Sequence, residues 1–267
     1  MTFIDPLQGF AMNTDQTRRI ALITGGGRGL GRSAALHLAR GGLDVILTYR
    51  ERVDDADITR REIEAFGRRA AVLQLDTMDI ASFAGFSERL GAVLRNQWER
   101  GSIDYLVNNA GTSGHMKLGE TQVERFDTLV AVHFRGVYFL TQELLPRLAD
   151  GGGIVCLSTA MTRTVMPGGG PYAAVKAAIE MLVPVWAKEL GPRRIRVNAV
   201  APGAVPTDFS RAVWDANPGL KDYLASVTAL GRVAEPDDIG PVIAFLCSDA
   251  ARWVNAQRIE ASGGQGL

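Results

Sequence analysis

Cysteine is scarce in this chain of 267 residues: Cys156 and Cys247 are the only two. They stand in separate apolar stretches without C-x-x-C spacing, which argues against a disulfide framework or a zinc ribbon and leaves two small buried hydrophobes. Histidine is nearly as rare. His37 and His115 read as ordinary surface residues, and with His133 they show no spacing that suggests a metal. Charge of one sign is lacking too: 29 basic residues balance 29 acidic ones, so nothing in the bulk electrostatics favours nucleic acid or an anionic membrane as a partner. No hydrophobic run approaches the length of a membrane span. The start, Met1 to Gln16, carries Asp5, Pro6 and Asp15 and lacks the basic opening and apolar core of a secretory signal. A reducing cytoplasm is the expected location. Repeats, low-complexity tracts and long linkers are missing as well.

What is present is an alternation. Short β-branched runs at Ile20–Thr24, Val45–Tyr49, Ala71–Leu75, Tyr105–Asn108, Ile154–Ser158, Arg196–Val200 and Arg258–Glu260 are separated by helix-length amphipathic segments. This is the pattern of βαβ units building a parallel sheet, an α/β fold. "IALIT", "VIL" and "IVCL" are apolar without alternation, as strands covered on both faces should be. Helices are expected near Leu30–Arg40, Ile58–Phe66, Ser82–Trp98, Gln122–Leu148, Tyr172–Leu190 and Asp237–Ser248, where apolar residues recur at three and four. The Gln122–Leu148 segment is apolar over much of its circumference, which suits either a subunit interface or deep burial. Pro184 should bend the next helix locally. Residues 1–17 read as a loose arm and 18–267 as a single domain. Val205–Ala229 forms a polar, proline-containing excursion after the sixth strand, placed to cover a site beyond the carboxyl ends of the sheet.

Two features carry chemistry. "TGGGRGLGRS", Thr24 to Ser33, follows the first strand and opens a helix, so its amides suit an anion. Gly25, Gly29 and Gly31 fit a dinucleotide loop, while Gly26, Gly31, Arg32 and Ser33 come within one residue of a triphosphate loop. The triphosphate version relies on a lysine, and Arg32 offers a planar fork instead. The second feature is "YAAVK", which sets Tyr172 and Lys176 one helical turn apart behind a hydroxyl-rich strand end, "LSTAMTRT". A phenol titrates near 10 and gains acid–base power when a neighbouring cation favours its anion. Lys176 can supply that charge.

With "NNAG" at Asn108–Gly111, Asp76 after the third strand and "APGAVPT" at Ala201–Thr207, these motifs stand in an order that resembles the short-chain dehydrogenase/reductases from about Arg18 to Gly264. Within that family the chain looks most like the 3-oxoacyl-carrier-protein reductases and the sugar or steroid dehydrogenases. The resemblance decides for a dinucleotide. It implies a Rossmann-like, doubly wound parallel sheet of seven strands with helices on both faces, and a homo-oligomer, tetramer or dimer, through the fourth and fifth helices.

The resemblance also distributes roles. Gly25, Gly27, Arg28, Gly29, Leu30 and Gly31 would follow the cofactor's pyrophosphate, with Asp76 and Thr77 at the adenine and Asn109, Ala110 and Gly111 along its length. Pro202, Gly203, Val205 and Thr207 would flank the nicotinamide. Tyr172 would exchange the proton of a small-molecule carbonyl or secondary alcohol, and Lys176 would hold the nicotinamide ribose and depress the tyrosine pKa. The hydroxyl that polarises the carbonyl usually lies thirteen residues before the tyrosine. That position is Thr159, with Ser158 as the alternative if the intervening loop shifts the register. Where the family commonly has asparagine, "AVHFRG" places His133, which could relay protons or merely satisfy a backbone carbonyl. At the end of the second strand Tyr49 replaces the carboxylate that NAD would need, and Arg50 with Arg28 suits the 2′-phosphate of NADP. NADP(H) is therefore expected over NAD(H), in a carbonyl reductase. A cofactor-binding sensor that has lost turnover, or an epimerase or dehydratase on the same cofactor, remain the rival readings.

Overall fold

Strand β1 (Ile20–Ile23) is buried at every position, and its side chains divide by parity. Ile20 and Leu22 enter the core on one face of the sheet, Ala21 and Ile23 the core on the other. Strand β2 (Asp44–Tyr49) does the same, with Ile46 on the first side and Val45 and Leu47 on the second. A period of two with both faces covered is what makes such strands apolar throughout.

The computed structural model describes residues 18–267, so the expected arm at 1–17 lies outside the described residues. Strands β3 (Ala70–Gln74), β4 (Ile103–Asn108), β5 (Leu148–Leu157), β6 (Arg196–Pro202) and β7 (Arg258–Ala261) complete a seven-stranded sheet in the order 3-2-1-4-5-6-7. All neighbouring strands are parallel. Helices α1 (Gly29–Arg40) and α2 (Val53–Ala65) cover one face of the sheet and α3 (Phe83–Trp98) the other. The order reverses at β1, whose neighbours are β2 and β4, and such a reversal opens a crevice beyond the carboxyl ends of the strands.

Two departures from the expected elements have local causes. Helix α2 begins at Val53 rather than Ile58, and Asp54 and Asp55 in its first turn complement the helix dipole. The expected helix over 122–148 is three pieces: α4 (Val123–Val130), a π-helical turn at Ala131–Arg135, and α5 (Gly136–Leu144). Pro146 sits in a short 3₁₀ turn that ends this run, and Leu148 already belongs to β5. Helix α6 (Gly170–Glu189) continues through Pro184. The excursion after β6 holds two short helices, α7 (Arg211–Ala216) and α8 (Leu220–Ser226), before α9 (Pro236–Leu246) returns to the α1 side of the sheet. No helix among the described residues is long and apolar enough to cross a membrane.

Candidate active site

The turn between β1 and α1 exists because two positions are glycine. Gly25 has φ +67° and Gly29 φ +54°, in the left-handed region that side chains avoid. Gly31 is required for a different reason: a Cβ there would stand 2.2 Å from the Gly25 carbonyl oxygen. Arg28 caps α1 in an extended conformation without a side-chain cap bond, so the first-turn amides face outward for an anion. From β4, Asn109 grips this turn. Its side-chain amide donates to the carbonyls of Thr24 (2.9 Å) and Gly25 (3.0 Å), and its backbone N–H to the Thr24 hydroxyl (2.9 Å).

The crevice is a cavity of about 570 Å³, and every site residue expected from the sequence lines it. It is lined by Gly25, Gly27, Leu30 and Gly31 of the turn, by Tyr49, Asp76 and Thr77, by Asn109, Ala110 and Gly111, and by Pro202, Gly203, Val205 and Thr207. Arg50 pairs with Glu51 at 2.8 Å and Arg28 with Asp208 at 3.3 Å, and Arg52, which sequence reasoning missed, pairs with Asp55 at 3.6 Å. These exposed ion pairs are weak and exchangeable. A phosphate could draw all three guanidiniums. The open helix terminus, the turn with no room for a Cβ and the arginine rim together fit a phosphorylated dinucleotide.

Helix α6 brings Tyr172 and Lys176 to the cavity wall. Lys176 Nζ donates to the Leu157 carbonyl at 2.6 Å and lies 5.8 Å from the centroid of the Tyr172 ring. Burial pulls the ammonium down to about 8. Burial also raises the phenol above its ordinary value, and so works against the depression expected from Lys176. The phenol therefore holds its proton at neutral pH.

The two candidate hydroxyls are placed differently. Ser158 donates to the Glu180 carboxylate at 2.5 Å. Thr159 Oγ1 accepts the Met161 N–H at 3.3 Å, which leaves its own proton to donate elsewhere. His133 lies in the π-helical turn, buried, with Nε2 2.7 Å from the Thr112 carbonyl oxygen. Nε2 also stands 3.2 Å from the Thr112 N–H, so its two contacts with Thr112 suit opposite tautomers, and Nδ1 is buried with no partner among the described residues. Burial, and then the nearby Lys176 charge, lower its pKa to about 3, so the ring is neutral. Its edge meets the Tyr172 ring at 5.2 Å. Its contacts with Thr112 suit the backbone-satisfying reading of this histidine. His37, expected at the surface, is half-buried with Nδ1 2.9 Å from the Ser33 carbonyl oxygen, whereas His115 is exposed at the cavity wall.

Several contributors were not singled out from the sequence. Met161, Met166, Phe209 and Trp214 give the cavity an apolar wall, and Phe209 packs 5.9 Å from the Tyr172 ring. Gln265 Oε1 accepts the Ala204 N–H at 2.8 Å and so ties the end of the chain to the loop after β6. Glu180 and Arg258 surround the strand end that carries Ser158 and Thr159. None has a local sequence signal, because each depends on which strands become neighbours. Both cysteines are buried, and burial pushes their thiols up to about 11 (Cys156) and about 12 (Cys247).

A family model described as enoyl-(acyl carrier protein) reductase matches residues 25–265. Tetrahydroxynaphthalene reductase of Pestalotiopsis fici is 34% identical over 257 residues, covering 92% of this chain and 91% of its own. Among solved structures, a promiscuous reductase that catalyses keto-reduction at C1 during lugdunomycin biosynthesis superposes with a TM-score of 0.88 at 33% identity, covering 94% of this chain and 99% of its own. An angucycline C-6 ketoreductase with bound NADP gives a TM-score of 0.87 at 34% identity, with coverages of 92% and 95%.

Proposed function

Because the chain belongs to the short-chain dehydrogenase/reductase family, we propose that it is an NADP(H)-dependent ketoreductase acting on ketones carried by flat, apolar frames such as partly reduced polycyclic aromatics. The observation that carries this reading is that a phenol, a buried lysine and an uncommitted threonine proton line the same cavity as the glycine turn. Relatives that reduce hydroxynaphthalenes and angucyclines support the substrate class, as does the wall of Met161, Met166, Phe209 and Trp214.

The bound nicotinamide would supply the hydride. The protein's residues do the rest. Thr159 donates a hydrogen bond to the ketone oxygen, and Tyr172 gives that oxygen its proton as negative charge develops there. Lys176, mostly charged below about pH 8, stabilises the phenolate left behind. His133 fixes the backbone at Thr112 and packs its edge on the tyrosine ring. The β1–α1 turn would hold the diphosphate, and Arg28, Arg50 and Arg52 the 2′-phosphate.

The test is NADPH oxidation with a panel of tetralones and polycyclic ketones, 3-oxoacyl thioesters and enoyl thioesters. Polycyclic ketones should be reduced, and Tyr172→Phe should slow the reaction by about 10²-fold or more. Equal rates for wild type and variant, or turnover with the enoyl thioester alone, would overturn the reading. NADPH binding without turnover would point to a sensor, and isomerised product without net NADPH loss to an epimerase. Arg50→Asp should move the cofactor preference toward NAD(H), read from paired kcat/KM values.

A further inference from the structure

Beneath the strand end that carries the reactive hydroxyl lies a charged cluster with no part in the chemistry described above. Arg258, from β7, is 10% exposed and pairs with Glu180 of α6 at 2.6 Å and with Glu260 at 2.8 Å. Glu180 Oε1 accepts from the hydroxyls of Ser158 (2.5 Å) and Thr162 (2.9 Å) as well as from Arg258 Nε. The other guanidinium nitrogen, NH2, donates to the Thr159 carbonyl at 3.2 Å and to Thr162 Oγ1 at 2.9 Å. The Thr159 carbonyl, 3.1 Å from Thr162 Oγ1, is the alternative acceptor for the single Thr162 hydroxyl proton.

A largely buried ion cluster is poor value for stability, because desolvation offsets most of the attraction. Its geometry points elsewhere. Two chain-distant elements, α6 and β7, converge on two consecutive residues: one, Ser158, has its hydroxyl bound by a carboxylate, and the other, Thr159, is held by its backbone and left with an uncommitted proton. We propose that Arg258, braced by Glu180 and Glu260, is a positioning residue that fixes Thr159 toward the ketone, while Glu180 holds the neighbouring Ser158 hydroxyl out of the reaction. This rests on the ketoreductase reading, in which Thr159 meets the carbonyl oxygen.

The test is a double-mutant cycle. Arg258→Lys keeps a charge beside the two carboxylates but lacks the fork that reaches Thr159 and Thr162. It should lower the single-turnover rate of ketone reduction by about tenfold or more, with NADPH affinity by fluorescence titration unchanged within about twofold. In a Thr159→Ala background, followed over hours so that slow rates are measurable, the same substitution should cost less than about twofold, since the group it positions is gone. In protein with labelled threonine methyls, the Thr159 resonance should shift or broaden in Arg258→Lys without any turnover. A rate loss of equal size in both backgrounds, no rate loss, or an unchanged Thr159 methyl would overturn the proposal. Should Arg258→Lys melt below the assay temperature, the near-isosteric Thr162→Val, which removes the hydroxyl shared by Glu180, Arg258 and Thr159, must show the same pattern. If Tyr172→Phe reduces ketones as fast as wild type, the ketoreductase reading fails and takes this proposal with it; Tyr172 dependence with an uncoupled Arg258 defeats the proposal alone.

Discussion

Lys176 links activity and stability in opposite directions. Its ammonium is buried, so its pKa in the folded protein is about 8 against 10.5 for a free lysine side chain. Between those values the folded chain holds fewer protons than the unfolded one, and folding stability from this group rises with pH. Catalysis moves the other way, because the charge that stabilises the phenolate disappears above about pH 8. The kcat/KM for reduction should therefore fall roughly tenfold per pH unit above pH 8, while the urea midpoint of wild type rises relative to Lys176→Met up to about pH 10. Above that the lysine is deprotonated in the folded and unfolded chains alike, and the difference between the two proteins levels off. A flat rate profile to pH 9.5, or parallel urea midpoints for the two proteins, would show that the ammonium is not desolvated as the structure has it. The spacing of Tyr172 and Lys176 was legible in the sequence, because one helical turn fixes their common face. The direction of the phenol's pKa was not, because burial depends on what folds over the ring: His133 from the π-helical turn and Phe209 from the loop after β6.

At the scale of elements, the β1–α1 turn is the piece most fully specified by local residues. Gly25 and Gly29 supply the left-handed backbone, and Gly31 allows helix and strand to touch. Gly31→Ala would press a methyl into the Gly25 carbonyl, and the backbone there cannot yield without moving Asn109's two bonds to the turn. The expected result is a fall in Tm of several degrees, corresponding to about 1–3 kcal/mol of overpacking, together with at least a tenfold weaker NADPH affinity by fluorescence titration. Unchanged affinity would mean that the turn does not hold the cofactor. The central strands were visible as apolar runs, because a strand covered on both faces has no polar position to hide it, whereas β7, with Arg258 and Glu260, is half-buried along its length. Helix starts were less legible: the charged run "RVDDAD" masks the first turn of α2, whose acidic residues serve the helix dipole rather than a hydrophobic stripe. The π-helical turn around His133 has no sequence period of its own, and α7 and α8 are too short to show one.

At the scale of the whole molecule, the reversal of strand order at β1 gathers residues from Gly25 to Phe209 around one crevice, and the apolar surface that is left over lies away from it. Helices α5 and α6 each turn one face into the core through Leu140, Leu144, Ile179 and Val183. Their outer faces are also apolar: Tyr138 is 36% exposed, Phe139 40%, Val185 39% and Met181 66%. Tyr138 rests on Trp186, 5.8 Å between ring centroids, so the two helices present a joined surface. This is the segment whose sequence is apolar around most of its circumference, and a second copy of the chain related by a two-fold axis would cover it with the same residues. The prediction is a dimer or larger assembly at micromolar concentration. Val185→Asp would place an unpaired charge at the centre of that face, where desolvation without a partner costs about 3–5 kcal/mol, enough to weaken association by at least a hundredfold. Sedimentation velocity should show wild type as an oligomer and the variant as monomer, with the far-ultraviolet circular dichroism of the two superposing. Wild type sedimenting as a monomer, or a variant that stays assembled, would leave this face to some other partner and remove the α5–α6 surface from any account of assembly.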